Sequence, residues 1–273
     1  MVAADLYIIA AGDGSRLRAN VPKALIPITD EPCLTTTLQQ IGRKFRNVFV
    51  VTNVLVRDQW QAYFQSLEQT YPELRTLVTE LPIKSGLGDG HATLEGLLAA
   101  ERLDAMSPCN DVVISWGDVF FPDARIIDEL LSQPLRGSGL LPAVHERNPY
   151  VSLLVDDMMR CMAADFSKHG ETHLTGYHDQ SVFRFSFSRI KDSLSDLHRT
   201  LWKNGRYLTP GGELSLLYTF HHLYNCFSPA YVYSTRHPTL SFNTIEEVSA
   251  IQREISSNWN EQNKLERLRT ELR

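Results

Sequence analysis

The chain has 273 residues, 43% of them hydrophobic and 22% charged, with a formal net charge of −5. That length and apolar content suffice for a sizeable core in one domain, or one domain with a subdomain. The acidic balance excludes the broad basic field that holds nucleic acid, and no apolar run is long enough to span a bilayer, so neither nucleic acid nor a membrane is expected as a partner.

In chain order, Met1-Val-Ala-Ala-Asp5 has no basic stretch ahead of its apolar run, so no signal peptide is expected. Leu6–Ala11 reads as a buried strand, Leu34–Phe45 as a helix, Val48–Thr52 as a strand and Val56–Gln69 as a helix. Leu74–Thr79 reads as a strand, His91–Arg102 as a helix, Asp111–Trp116 as a strand and Ala124–Ser132 as a helix. This alternation predicts a parallel sheet covered on both faces, joined by right-handed crossovers. The pattern then changes. Gly139–His145, Val151–Val155, Arg160–Phe166 and Ser181–Phe187 are closely spaced strand candidates, with turn-like Asp156-Asp157 and Lys168-His169-Gly170 between them. They predict antiparallel strands attached to the parallel sheet. Helices are expected over Arg189–Trp202 and Glu213–Tyr224, and a last strand over Tyr231–Ser234. From Thr244 the chain is charged, Pro-free and helical, with Ile251, Ile255 and Trp259 at the spacing of a covering face. The stretch Leu265–Leu272 reads as a solvated helix, with contact to a second subunit in a homodimer as the alternative.

Cys33, Cys109, Cys161 and Cys226 are scattered and form no CxxC pair, which predicts reduced thiols in a cytoplasmic protein. His169, His173 and His178 fall within ten residues, but their loose spacing and the lack of a neighbouring cysteine argue against structural zinc. His221 and His222 share a predicted helix with Tyr218, Phe220 and Tyr224, which suits packing or a substrate wall.

The chemistry concentrates near the start. An apolar strand runs into Gly12 and Gly14, followed by Arg16 and the Pro22-Lys23 pair. Glycines let the backbone approach an anion closely, and two cations fit a polyphosphate better than a single phosphate. The segment is not the dinucleotide fingerprint, because Leu17 stands where its third glycine would be, and the P-loop pattern is absent. In an open parallel sheet ligands bind beyond the carboxyl ends of strands. Gly117-Asp118 lies at such an end, so Asp118 is a candidate Mg²⁺ ligand, with a turn or cap role as the alternative. Glu213, after Gly211-Gly212, is either an acceptor-binding carboxylate or a first-turn helix residue, and Asp179 stands in the same position.

Ile9-Ala-Ala-Gly-Asp-Gly-Ser-Arg16 and Pro22-Lys23-Ala-Leu-Ile-Pro-Ile28 resemble the signature of the nucleotidyltransferase family, the NDP-sugar pyrophosphorylases and small cytidylyltransferases. Gly86-Leu-Gly-Asp-Gly-His-Ala92 resembles that family's second Gly-rich segment, and Trp116-Gly-Asp118 its metal-binding pair. Phe166-Ser-Lys168 resembles its sugar-phosphate lysine segment, and Ser241-Phe-Asn-Thr-Ile-Glu-Glu247 its closing motif. Three departures stand out. Ser241 takes the place of an Asp, the Glu and Pro around Lys168 are missing, and Asp179-Gln180-Ser181 stands where many sugar enzymes carry Asn-x-Gly.

The resemblance implies an α/β fold of Rossmann-like, three-layer αβα type with a mixed GT-A-like sheet, antiparallel strands in the acceptor half and a C-terminal helix. Residues 1–245 would form one domain, with an NTP-binding half at 1–132 and an acceptor-binding half at 133–245, followed by a helical tail at 246–273. It implies in-line transfer of a nucleoside monophosphate from an NTP, CTP or UTP favoured, to the phosphate of a small phosphorylated acceptor. A sugar 1-phosphate is the commonest acceptor in the family, and a phosphocholine-like or phospho-amino compound the alternative. Arg16 and Lys23 would be catalytic. Ala10, Ala11, Gly12, Asp13, Gly14, Ser15, Lys84, Ser85, Gly88, Asp89 and His91 would bind the nucleotide. Lys168, Asp179 and Glu213 would bind the acceptor, and Mg²⁺ would sit on Asp118 and Asn243. Two rivals remain: a catalytically silent regulatory homologue, and a GT-A glycosyltransferase, whose Asp-x-Asp motif is replaced here by Gly117-Asp118-Val119.

Overall fold

The structure is a computed structural model and describes residues 4–12, 21–84, 87–103, 110–166 and 175–255. The strands, in chain order, are β1 (Ala4–Ile9), β2 (Asn47–Asn53), β3 (Val78–Ile83), β4 (Asp111–Trp116), β5 (Val119–Phe120), β6 (Gly139–Glu146), β7 (Val151–Val155), β8 (Cys161–Phe166), β9 (Gly176–Asp179), β10 (Val182–Ser186), β11 (Trp202–Lys203), β12 (Arg206–Tyr207), β13 (Ala230–Ser234) and β14 (Leu240–Ser241). The helices are α1 (Cys33–Ile41), α2 (Arg57–Thr70), α3 (Pro72–Arg75), α4 (Asp89–Glu101), α5 (Arg125–Ser132), α6 (Phe187–Leu201) and α7 (Tyr218–Asn225). Residues 245–255 are also helical.

The main sheet runs β3-β2-β1-β4-β10-β6-β9-β7-β8, with β13 added to β6. β3, β2, β1 and β4 are parallel. β10 turns the direction, pairing antiparallel to both β4 and β6, and β9, β7 and β8 continue antiparallel. This is the expected mixed sheet.

Alternation along the strands divides the core into two layers. Leu6 and Ile8 of β1 point to one face, where α1, α2 and α5 bring Leu38, Trp60 and Ile127. Tyr7 and Ile9 point to the other, where α4, α6 and α7 bring Leu97, Leu194 and Phe220. A strand buried on both sides needs this apolar character at every position, hence the run Leu6-Tyr-Ile-Ile9. A third, smaller cluster joins Ile26, Ile28, Phe120, Phe242, Val248 and Ile251. The helical segment 245–255 therefore packs onto the segment that follows Lys23, and Trp259 lies outside the described residues.

Three elements depart from the periodicity. The run Leu74–Thr79 splits into α3, which opens on Pro72, and β3, which begins at Val78. Proline is pre-set for a first helical position and the acidic Glu73 suits a helix start, so α3 captures Leu74. The helix predicted from Glu213 begins at Tyr218, because residues 214–216 are bonded to the start of α4 instead. The hairpin β11–β12 was not expected. Its two-residue loop is Asn204-Gly205, with φ of 52° and 81°, the left-handed pair that matches strand twist.

The order of the parallel strands positions the site. From β1 the chain steps outward to β2 and β3, then returns to lay β4 on β1's other side. The reversal falls between β1 and β4, and a crevice opens beyond the carboxyl ends of strands at such a point.

Candidate active site

Three segments meet at the carboxyl ends of β1 and β4. Ala10 and Ala11 continue β1 and are buried, whereas Gly12 is exposed. Gly117 continues β4, and its N–H donates to Ile9 O at 2.9 Å. A Cβ on Gly117 would lie 2.9 Å from Ala10 Cβ and 3.0 Å from Ala24 Cβ. Only glycine lets these backbones touch, and the contact sets Asp118 beside the turn Lys23–Leu25.

The closing motif arrives from the other end of the chain. β14 pairs antiparallel with β5, matching Ser241 to Val119 and Leu240 to Phe120. The α1 side chain of Thr37 donates to Val119 O at 2.9 Å and holds β5 from below. Phe242 is fully buried, and the Lys23 Nζ sits 5.5 Å from its ring centroid. Asn243 follows, fixed by a capping box. Thr244 Oγ1 accepts the Glu247 N–H at 3.2 Å, while the Glu247 carboxylate accepts the N–H groups of Asn243 and Thr244.

At the meeting point the Lys23 ammonium donates to the Asp118 carboxylate, and to Asn243 Oδ1 at 3.0 Å. The Lys23 and Asp118 side chains are 22% and 15% exposed, so the pair is shielded yet reachable from solvent. Two oxygens contributed by residues 118 and 243 thus converge on one positive charge. A carboxylate and an amide oxygen are hard donors that suit Mg²⁺, which takes one or two carboxylates and completes its shell with phosphate and water. Among the described residues no group of three or more His, Cys, Asp or Glu side chains is placed to form a protein-only cage.

The second Gly-rich segment packs against residues 214–216. Gly88 has φ 95°, and a Cβ there would meet Leu214 O at 2.3 Å; at Gly90 it would meet the Ser215 carbonyl carbon at 2.6 Å. Leu214 N–H donates to Leu87 O at 2.8 Å, and Gly90 N–H to Leu214 O at 2.9 Å. The Asp89 carboxylate accepts the Leu216 N–H at 2.6 Å, and burial pushes its carboxyl up to about 6. His91 is buried, with Nδ1 2.7 Å from the Tyr207 hydroxyl; His198 Nδ1 lies 2.7 Å from the same hydroxyl. Burial lowers the His91 pKa. The sequence-based nucleotide role of Asp89 and His91 thus meets side chains already engaged with the 202–217 strap. The Lys84 side chain is exposed just after β3.

In the acceptor half, Asp179 is 5% exposed and accepts the Ser181 N–H at 2.8 Å, and burial raises its carboxyl. Its side chain closes the turn to Ser181. Glu213 is exposed. His178 Nδ1 pairs with Glu146 at 2.7 Å. Asp13, Gly14, Ser15, Arg16, Ser85 and Lys168 lie outside the described residues, as do Cys109, His169 and His173. Cys33 and Cys161 are buried free thiols, and Cys226 is an exposed one.

Two features of the site were not read as such from sequence. Gly117 stands in the sequence as half of a Gly-Asp pair, and the closeness of Ala10 and Ala24, which leaves no room for a Cβ there, exists only in the tertiary contact. Thr244 and Glu247 carried a legible signal, the Thr-x-x-Glu spacing of a capping box.

Residues 6–182, more than half of the chain, match the family model described as MobA-like NTP transferase domain. Two curated relatives, the bifunctional protein GlmU of Thermotoga petrophila and that of Thermotoga sp. strain RQ2, are each 24% identical over 133 residues, 49% of this chain. The match spans about a quarter of their length, 26%. Among solved structures, HddC from Yersinia pseudotuberculosis complexed with GMP-PN aligns with a TM-score of 0.64 at 15% identity, covering 92% of this chain and 99% of that one. The nucleoside-diphosphate-sugar pyrophosphorylase from Vibrio cholerae RC9 aligns with a TM-score of 0.65 at 12% identity, covering 91% and 99%. At those identities the likeness speaks to the fold, which is the three-layer GT-A-like nucleotidyltransferase arrangement. The matched family model, which covers residues 6–182, shows that this chain belongs to the MobA-like NTP transferase family.

Proposed function

We propose that this protein transfers a nucleoside monophosphate from an NTP, CTP or UTP favoured, to the phosphate of a sugar 1-phosphate. The observation that carries this reading is the Lys23 ammonium held between Asp118 and Asn243 at the β1–β4 switch point. An acceptor phosphate oxygen attacks the α-phosphorus in line. The bond from that phosphorus to the bridging oxygen breaks, and pyrophosphate leaves. The acceptor is already anionic at neutral pH, so no strong base and no covalent intermediate are needed. Positioning and charge stabilisation supply the rate.

Lys23 neutralises charge that builds on the α-phosphate. Arg16 and the N–H groups of residues 12–16 hold the leaving pyrophosphate. Asp118 and Asn243 would hold Mg²⁺, whose chemistry there is charge neutralisation on phosphate oxygens. We further infer that Lys84 and the loop at Gly88 flank the base, and that Glu213 and Lys168 serve the acceptor.

A second reading keeps the reaction and changes the acceptor to a non-sugar phospho-compound, phosphocholine-like or phospho-amino. The Asp179-Gln180-Ser181 kink favours it. Asp179 is used on Ser181 and buried, so the position where many sugar enzymes carry the amide of Asn-x-Gly holds a carboxylate engaged within its own turn. One screen separates the readings. CTP, UTP, GTP and ATP are each combined with Mg²⁺ and a panel of sugar 1-phosphates and phospho-amines, and pyrophosphate release is followed. Release with a sugar 1-phosphate supports the first reading, and release only with a phospho-amine the second. No release from any pair overturns both in favour of a catalytically silent homologue.

A further inference from the structure

The strand opposite β6 is interrupted. β9 ends at Asp179, β10 begins at Val182, and between them Ser181 takes φ 53°. Gln180 sits in this break, 3% exposed, although it is an uncharged polar residue with no place in the proposed chemistry. Each of its polar atoms has a partner. Its N–H donates to Pro142 O at 3.2 Å, and its Nε2 to His178 O at 3.0 Å. Its two oxygens both face Thr239. Gln180 Oε1 accepts the Thr239 N–H at 2.8 Å, and Gln180 O accepts the Thr239 hydroxyl at 2.7 Å.

Thr239 opens the arm that carries Asn243. Leu240 and Ser241 pair with β5, Phe242 is buried, and Asn243 accepts from Lys23. The next residue of the kink reaches the other half of the same site: Ser181 O accepts the Trp116 N–H at 3.4 Å, two residues ahead of Asp118. A two-residue break in the acceptor half thus holds the approaches to both oxygens that meet at Lys23. Such a break leaves backbone groups unpaired unless something satisfies them, and a long amide side chain can satisfy several at once.

We propose that Gln180 is a positioning residue: acting through Thr239, it sets where Asn243 stands relative to Lys23 and Asp118, and so couples the acceptor half to the cation site. The coupling to a cation rests on the reading of Asp118 and Asn243 given above. Substituting Gln180→Leu removes Oε1, the acceptor of the Thr239 N–H, and leaves the arm held at Thr239 only by the hydroxyl's bond to the Gln180 backbone carbonyl. Residues that orient metal ligands from behind typically change metal affinity by about 10- to 100-fold.

The test uses the full chain in three forms, wild type, Gln180→Leu and Thr239→Val, with and without Asn243→Ala. Hydrogen–deuterium exchange is measured on the metal-free proteins, and Mn²⁺ binding is followed by electron paramagnetic resonance. The proposal expects faster exchange across residues 237–244 in both single variants, with β1 and β2 unchanged. It expects Mn²⁺ affinity to fall about tenfold or more, and Gln180→Leu to cost nothing further once Asn243 is alanine. Unchanged exchange at 237–244 in a folded variant overturns it, as do losses that add with Asn243→Ala. Should Gln180→Leu fail to fold, Thr239→Val carries the same comparison. If wild type binds no Mn²⁺, the cation reading of Asp118 and Asn243 falls, and the exchange data alone decide the positioning role.

Discussion

Lys23 stands at the centre of the candidate site. Its ammonium is shared by a carboxylate and an amide oxygen, and it lies over the Phe242 ring. In the proposed transfer a preorganised cation of this kind would act on developing charge, so Lys23→Ala should lower kcat on the order of a hundredfold or more. Steady-state pyrophosphate release measures it, and a variant within threefold of wild type would remove Lys23 from the mechanism. Asp89 makes a different kind of prediction. Its carboxyl titrates near 6 in the folded protein, raised by burial from an ordinary value of 3.8. A raised carboxyl favours folding while protonated, so its contribution is complete below about pH 4 and is lost as pH rises through about 6. Asp89→Asn keeps an oxygen for the Leu216 N–H and removes the charge. It should be the more stable form at pH 8, by no more than about 3 kcal/mol, with the gap closing toward pH 4. Urea unfolding across pH 4–8 decides, and a gap that ignores pH sinks the assignment. At this scale the convergence of Lys23, Asp118 and Asn243 was legible, because strand ends and ordered motifs announce it. The bonds of Asp89 and His91 to the 202–217 strap were not. A polar residue in a Gly-rich turn looks the same whether it meets a ligand or a chain segment 127 residues away, as Asp89 meets Leu216.

Among the elements, α5 depends on one side chain from a neighbouring strand. Arg184 of β10 is 1% exposed; its Nε donates to Asp111 Oδ2 at 3.1 Å and its Nη1 to Leu130 O at 3.0 Å, Leu131 O at 3.3 Å and Gln133 O at 2.7 Å. The guanidinium closes the carboxyl end of α5, where carbonyls lack helical partners and a cation is favoured. Arg184→Met should cost about 3–5 kcal/mol, because Asp111 is left as an uncompensated charge. Adding Asp111→Asn should recover only part, since three carbonyls still lack their donor. Urea midpoints measure both, and a single-variant loss under about 1 kcal/mol would contradict the role. The strand itself was readable from Ser181–Phe187, and so were most elements of the first half, where period-2 and helical spacings are clean. The strap 202–217 was not. Its hairpin is announced by Asn204-Gly205, but the helical spacing that runs through Trp202 masks it. The late start of α7 reflects a tertiary bond to α4, which local spacing does not contain.

For the molecule as a whole, the two core layers were implied by alternating apolar runs, the β1–β4 reversal is a feature of strand order that those runs do not contain, and the joining of residue 243 to residue 118 was carried only by motif order. Physically that junction is a two-residue strand pair, a buried phenylalanine and a capping box, each too short to stand out in sequence. It brings both ends of the described chain into one site, so nucleotide binding should be felt globally rather than by one lobe. A ligand that binds only the folded state at a hundred times its Kd adds about 2.7 kcal/mol. For a chain of this size that corresponds to a rise in Tm of roughly 5 °C. The rise should appear with Mg²⁺ and the correct NTP, be largest for CTP or UTP, and be lost in Lys23→Ala and in Asp118→Ala. Because mass action requires the intact folded site, a shift that persists in both variants would locate nucleotide binding elsewhere. The absence of any shift with all four NTPs would remove the nucleotide half of the proposed reaction.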